Sequence, residues 1–101
     1  MKTAWIMALA ASTMALAQPA GAADLGRGQQ IYNMHCVACH GPRGMSSVPD
    51  APNFARGERL NQPDMLLLQT VKGGKKNQPP FFGILSDQDI LNALAFARTL
   101  R

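Results

Sequence analysis

Two cysteines and a histidine fall within five residues, Cys36-Val37-Ala38-Cys39-His40, and these are the chain's only cysteines. Thiols two residues apart can each add to one vinyl group of a porphyrin, and a histidine directly after the second can reach the iron of that same ring. Cys36, Cys39 and His40 therefore read as the attachment site of one covalent haem c, with His40 as the proximal iron ligand. Other chemistries suit the residues less well. A thioredoxin-like thiol pair needs a βαβ setting, and no strand is evident in the sequence. Zinc needs four ligands from separated parts of the chain, whereas His35, Cys36, Cys39 and His40 are bunched together. A disulfide enclosing two residues would constrain almost nothing.

The chain that must position this site has 101 residues, enough for one domain. Residues 1–22 read as a cleaved secretory signal peptide and residues 23–101 as the domain. Lys2 opens the leader, Trp5 to Ala17 is an uncharged apolar run of 13 residues, and Ala20-Gly21-Ala22 offers a small-residue cleavage site. Crossing a bilayer takes roughly 20 apolar residues, so no integral membrane span is expected, and export implies a periplasmic protein. The 79 residues after the leader bury too little apolar surface to be comfortably stable without a disulfide, metal or cofactor. Removing Lys2 leaves nine basic and six acidic residues, a net of +3. Lys72, Lys75 and Lys76 cluster between two expected helices, a patch suited to an acidic redox partner. No basic run with interleaved aromatics occurs, so nucleic acid is not indicated.

The domain reads as all-α, three main helices joined by long loops. The first spans about Asp24 to Cys36, with Asp24 as cap and Leu25, Ile31 and Tyr32 as apolar positions; Gly28 suits a close helix contact. The second begins at Asn61-Gln62-Pro63-Asp64, Asn61 capping and Pro63 in the first turn, with Leu67, Leu68 and Val71 as its stripe and Gly73-Gly74 as its stop. The third starts at Ser86-Asp87-Gln88-Asp89 and carries Ile90, Leu91, Leu94 and Leu100 at helical spacing. Loops as long as 41–60 and 73–85 in so small a domain ask for something to wrap around.

These features together resemble a class I cytochrome c. Gly28-x-x-Ile31-Tyr32 before Cys36, followed by His40-Gly41, is similar to the family's opening helix. Ala95-Phe96-Ala97-Arg98-Thr99-Leu100 is similar to its closing helix, where an aromatic packs near Gly28 and Tyr32. Ala51-Pro52-Asn53-Phe54 resembles the loop whose proline carbonyl accepts a hydrogen bond from the proximal histidine; the resemblance thus implies that Pro52 orients His40 and raises its basicity. Gly57-Glu58-Arg59-Leu60 with Gln62-Pro63-Asp64 resembles the small c-55X-type cytochromes of denitrification gene clusters. That narrower likeness implies a haem cd1 nitrite reductase, or a protein that matures its haem d1, as partner.

One departure from the family bears on mechanism. Its sixth ligand is a methionine before a proline after the second helix, and here that segment reads Lys75-Lys76-Asn77-Gln78-Pro79-Pro80-Phe81. Gln78 stands where methionine is expected. The candidates for the distal position are Gln78, water or an open site, Lys75, Lys76 or Asn77, and Met65 or Met45; His35, directly before Cys36, is expected to be exposed on the proximal side. The expected function is outer-sphere electron transfer between periplasmic redox proteins, with no catalytic residue. The alternative is a haem protein that binds NO or CO at a weak or open distal site.

Overall fold

The computed structural model describes residues 22–75 and 78–101. Apart from Ala22, the expected leader lies outside them, as do Lys76 and Asn77. Among the described residues four α-helices form: α1 (Leu25–His35), α2 (Val37–His40), α3 (Asp64–Gly73) and α4 (Asp87–Arg98), with one 3-10 turn at Phe54–Arg56. No strand occurs among the described residues; Lys75 and Gln78 make an isolated bridge.

Local chemistry sets most of the ends. The Asp24 carboxylate accepts the Arg27 N–H at 3.0 Å and starts α1, and Ser86 Oγ accepts the Asp89 N–H at 3.1 Å and starts α4. Three expectations are corrected. The second main helix, α3, begins after Pro63 rather than at Asn61, because Pro63 holds ψ 146° and its carbonyl takes the first helical N–H groups, from Leu66 and Leu67. Leu25 is 49% exposed, standing at the first turn beyond the reach of α4. The first helix also breaks at Cys36 into α1 and the four-residue α2.

The helices leave two separate apolar clusters. In one, Leu67 and Leu68 of α3 meet Phe81, Ile90 and Leu94. In the other, Tyr32 of α1 meets Leu60 and Ala97, with Phe54, Phe96 and Leu100 packed on them. α1 reaches α4 closely because Gly28 has no side chain: a Cβ there would lie 2.0 Å from the Asn92 carbonyl oxygen. Beside the crossing, buried Asn92 accepts the Asp24 N–H at 3.0 Å and a Gln88 amide hydrogen at 2.9 Å. Between the clusters lies a cavity bordered by both, and the cysteine–histidine motif opens into it.

Candidate functional site

α2 and the loop after it hold the motif. His40 is buried, and its Nδ1 lies 3.1 Å from the Pro52 carbonyl oxygen. A carbonyl can only accept, so Nδ1 carries the hydrogen and Nε2 keeps its lone pair. That is the tautomer an iron ligand needs. The Phe54 ring stacks on the imidazole, 4.2 Å between centroids and 15° between planes. The ring is thus fixed by a hydrogen bond on one nitrogen and by a flat apolar neighbour.

The loop that carries Pro52 is itself wired down. Asn53 Oδ1 accepts from Ser46 N–H and Oγ at 2.7 and 2.9 Å, and the Asn53 N–H reaches Glu58 Oε1 at 3.0 Å. Ser47 donates to the Cys39 carbonyl from its backbone and to the Ala38 carbonyl from its hydroxyl, satisfying the end of α2. Tyr32 Oη donates to the Gly41 carbonyl at 2.6 Å and ties α1 to the turn after the motif. Asn53 and Phe54 were not singled out in the sequence as site residues. An asparagine next to a proline in a loop is a turn-maker by type, which was the available signal for Asn53.

Cys36 and Cys39 are both free and partly buried on the cavity. Burial pushes the Cys36 thiol up to about 11, and the adjacent Cys39 adds to the rise. A dithiol redox pair works through a depressed thiol pKa, so this environment disfavours that chemistry. The cavity has two lobes of about 140 and 70 Å³, both bordered by Cys39, His40, Phe54 and Gln78. Two thiols, an oriented imidazole and a mostly apolar wall fit a porphyrin attached to the chain: Cys36 and Cys39 would hold its edge and His40 its iron.

The distal candidates separate by position. Gln78 is half-buried and lines both lobes, and Lys75 lines one. Met45 and Met65 are 52% and 62% exposed and do not line the cavity. His35, expected to be exposed, is instead half-buried and edge-on to Phe81, 5.5 Å between centroids, because the last turn of α1 meets the segment after Gln78. Of the expected lysine patch, Lys72 pairs with Asp87 at 2.9 Å and lies over the Phe82 ring, while Lys75 is exposed. No described helix is long and apolar enough to cross a membrane.

Comparison with known proteins agrees with this geometry. The family model for cytochrome c oxidase, cbb3-type, subunit III matches residues 23–96. The chain is 36% identical over 75 residues to cytochrome c6 of Gracilaria tenuistipitata var. liui, spanning 70% of this chain and 68% of that protein. It is 34% identical over 97 residues to cytochrome c6 of a Synechococcus species, spanning 90% and 85%. Among solved structures, cytochrome c6 of the diatom Phaeodactylum tricornutum matches with a TM-score of 0.61 at 34% identity, covering 75% of this chain and 92% of that one.

Proposed function

The chain belongs to the class I c-type cytochromes, an electron carrier with one covalent haem c rather than an enzyme, and from that premise we propose how its residues serve the haem and where it works. Cys36 and Cys39 attach the porphyrin and His40 binds the iron. The observation that carries this assignment is the His40 Nδ1 contact to Pro52 at 3.1 Å, which leaves Nε2 available as a ligand. The same contact makes the imidazole a stronger donor. When bound, the haem supplies a one-electron Fe(III)/Fe(II) couple reached through its edge. The chain's part is to hold His40 in one orientation and to surround the ring with apolar side chains that limit water.

Gln78 is the proposed distal ligand, supported by its place on the wall of both lobes. An amide oxygen is harder than a thioether and favours ferric iron, so the potential lies below that of a methionine-ligated relative. The test is Gln78→Met in the exported, haem-loaded protein. It should gain the far-red charge-transfer band of methionine-ligated ferric haem and a higher potential. An unchanged spectrum and potential would remove Gln78 from the iron.

The charged start, the apolar run from Trp5 to Ala17 and the small residues Ala20-Gly21-Ala22 support a periplasmic setting. The segment from Gly57 to Asp64 supports haem cd1 nitrite reductase, or a protein maturing its haem d1, as redox partner; stopped-flow electron transfer to that reductase tests it. Gln78 as a weak donor also favours a second reading, binding of NO or CO. Rapid carbon monoxide binding to the ferrous protein would favour that reading, and slow or absent binding the carrier.

A further inference from the structure

Among the described residues, only Asp50 and Arg59 have positive φ without being glycine, at 69° and 67°. Both stand third in a tight turn. The Ala51 N–H closes one turn on the Val48 carbonyl and the Leu60 N–H closes the other on the Gly57 carbonyl, each at 3.2 Å. Glycine or asparagine is usual at such a position. Aspartate tolerates it, whereas arginine there is strained, its Cβ crowding the following carbonyl oxygen. Strain of this kind persists where the surroundings hold a residue in place, and it gathers at ligand sites.

Both residues line the larger lobe of the cavity, the one that Cys39 and His40 border but Cys36 does not. Haem c carries its two propionates on pyrroles other than those bearing the thioethers, so its carboxylates belong to the side away from Cys36. The charged groups around that lobe are Arg59 and Lys75 as cations and Asp50 as the anion, besides the His40 imidazole. Protein carboxylates are taken up elsewhere: Asp89 pairs with Arg27, Asp87 with Lys72, and Asp64 with Arg98. Glu58 turns away from Arg59 to the Asn53 N–H. The Arg59 guanidinium therefore has no carboxylate partner among the described residues.

Its turn is also held firmly. Leu60 is buried, Gln62 Nε2 donates to the Arg59 carbonyl at 3.1 Å, and Arg98 donates to the Leu60 and Gln62 carbonyls at 3.4 and 3.3 Å. A fixed, strained turn thus presents an unpaired planar cation at the rim of the haem cavity. Such a fork matches a carboxylate with two parallel hydrogen bonds.

We infer that Arg59 is a propionate-binding residue, its left-handed turn serving to bring the guanidinium to one carboxylate of the haem and thereby raise the reduction potential. This rests on the haem reading above. An uncompensated propionate favours the ferric state with its additional positive charge, so removing Arg59 shifts the couple toward ferric. Asp50, a negative charge on the same rim, acts in the opposite sense.

The experiment uses the exported protein and four variants, Arg59→Gln, Arg59→Lys, Arg59→Gly and Asp50→Asn. Attached haem, thermal stability and reduction potential are measured on each. Arg59→Gln shifts the ferric-to-ferrous ratio several-fold toward ferric at a fixed electrode potential, and Arg59→Lys retains much of the wild-type value. Asp50→Asn shifts the ratio the other way. Arg59→Gly is the decisive variant, because it removes the strain along with the charge: the protein is at least as stable, yet its potential falls as in Arg59→Gln. The differences shrink at high salt, since the rim is exposed. Loaded Arg59→Gln and Arg59→Gly with wild-type potentials would overturn the assignment and leave Arg59 a turn residue. Absence of covalent haem from the wild type would instead sink the haem reading, and this inference with it.

Discussion

Substituting alanine for Gly28 sets two physical effects against each other, and the crossing of α1 and α4 says which wins. In a helix interior alanine is favoured over glycine by about 1 kcal/mol. At Gly28, however, the new Cβ would lie 2.0 Å from the Asn92 carbonyl oxygen, 2.6 Å from its carbon and 3.2 Å from the Ala93 nitrogen, where ordinary contact begins at 3.4 Å. These are backbone atoms of α4 and cannot swing aside, so the helices must separate. Separation also stretches the Asn92 bonds to Asp24 and Gln88 and loosens Tyr32 against Ala97. Overpacking costs typically about 1–3 kcal/mol, and rigid backbone on one side belongs at or above the top of that range. After the helix-propensity gain, a net loss of about 2 kcal/mol remains. For a domain of this size that is a fall of roughly 8–16 °C in Tm. Gly26, two residues earlier on α1, provides the control, because its Cβ would meet nothing closer than Asp24 Oδ1 at 3.5 Å. Gly26→Ala should therefore hold or raise Tm while Gly28→Ala lowers it. Thermal and denaturant unfolding of the haem-loaded proteins, followed by helical circular dichroism and the Soret band together, makes the comparison. If Gly28→Ala matched or exceeded the wild type, the close crossing would be refuted.

The two remaining tests concern buried polar groups. Asn92→Ala leaves the Asp24 N–H and the Gln88 amide without their acceptor at a site only 4% exposed; a loss of about 1–3 kcal/mol is expected in denaturant unfolding, and a change below about 0.5 kcal/mol would contradict the role given to it. Tyr32 is the chain's single tyrosine, so phenolate absorbance reports it alone. Burial pushes its phenol up to about 12. The folded state thus holds the phenolic proton more tightly than the unfolded one. That stability is fully present below about pH 10 and lost as pH rises toward 12. Half-ionisation near pH 10 in the folded protein would show that the phenol is not buried against Gly41.

What could be read from the chain alone was what local chemistry decides. The Asp24 and Ser86 caps, the Leu67–Leu68–Val71 stripe and the Gly73–Gly74 stop each depend on neighbours a few residues away. The break at Cys36 was not legible, because no glycine or proline marks it; the Cys36 N–H still bonds to Tyr32 while α2 starts afresh. Asn92 reads as an ordinary polar position on α4, and its burial follows from the close approach of α1, a contact 64 residues away in sequence. His35 is the same kind of case: its partner Phe81 lies in a distant loop. The motif could name Cys36, Cys39 and His40 as candidates, since adjacent residues share one cofactor. The rest of the cavity wall is assembled from several helices and loops, and there spacing carried no information.

The wall that carries Gln78 explains how a departure at residue 78 is compatible with an otherwise family-like fold. Lys75 and the residues from Gln78 to Phe82 are held as a strap at the end of α3 largely by backbone. Lys75 and Gln78 exchange backbone hydrogen bonds at 2.9 and 3.2 Å, the Phe81 N–H bonds to the Val71 carbonyl, and the Phe82 N–H to the Lys72 carbonyl. Gly74, at φ 75°, lies under the strap so closely that a Cβ would come within 2.9 Å of the Gln78 carbonyl oxygen and the Pro80 nitrogen. Its buried side-chain anchor is Phe81, packed among Leu67, Leu68, Ile90 and Leu94. None of these contacts uses the side chain of residue 78. Its identity can therefore change while the backbone contacts of the strap stay fixed, and the chemistry this position offers to the cavity varies independently of the fold. A glycine at 74 and a phenylalanine at 81 are what the strap requires; the side chain at 78 is left free to vary.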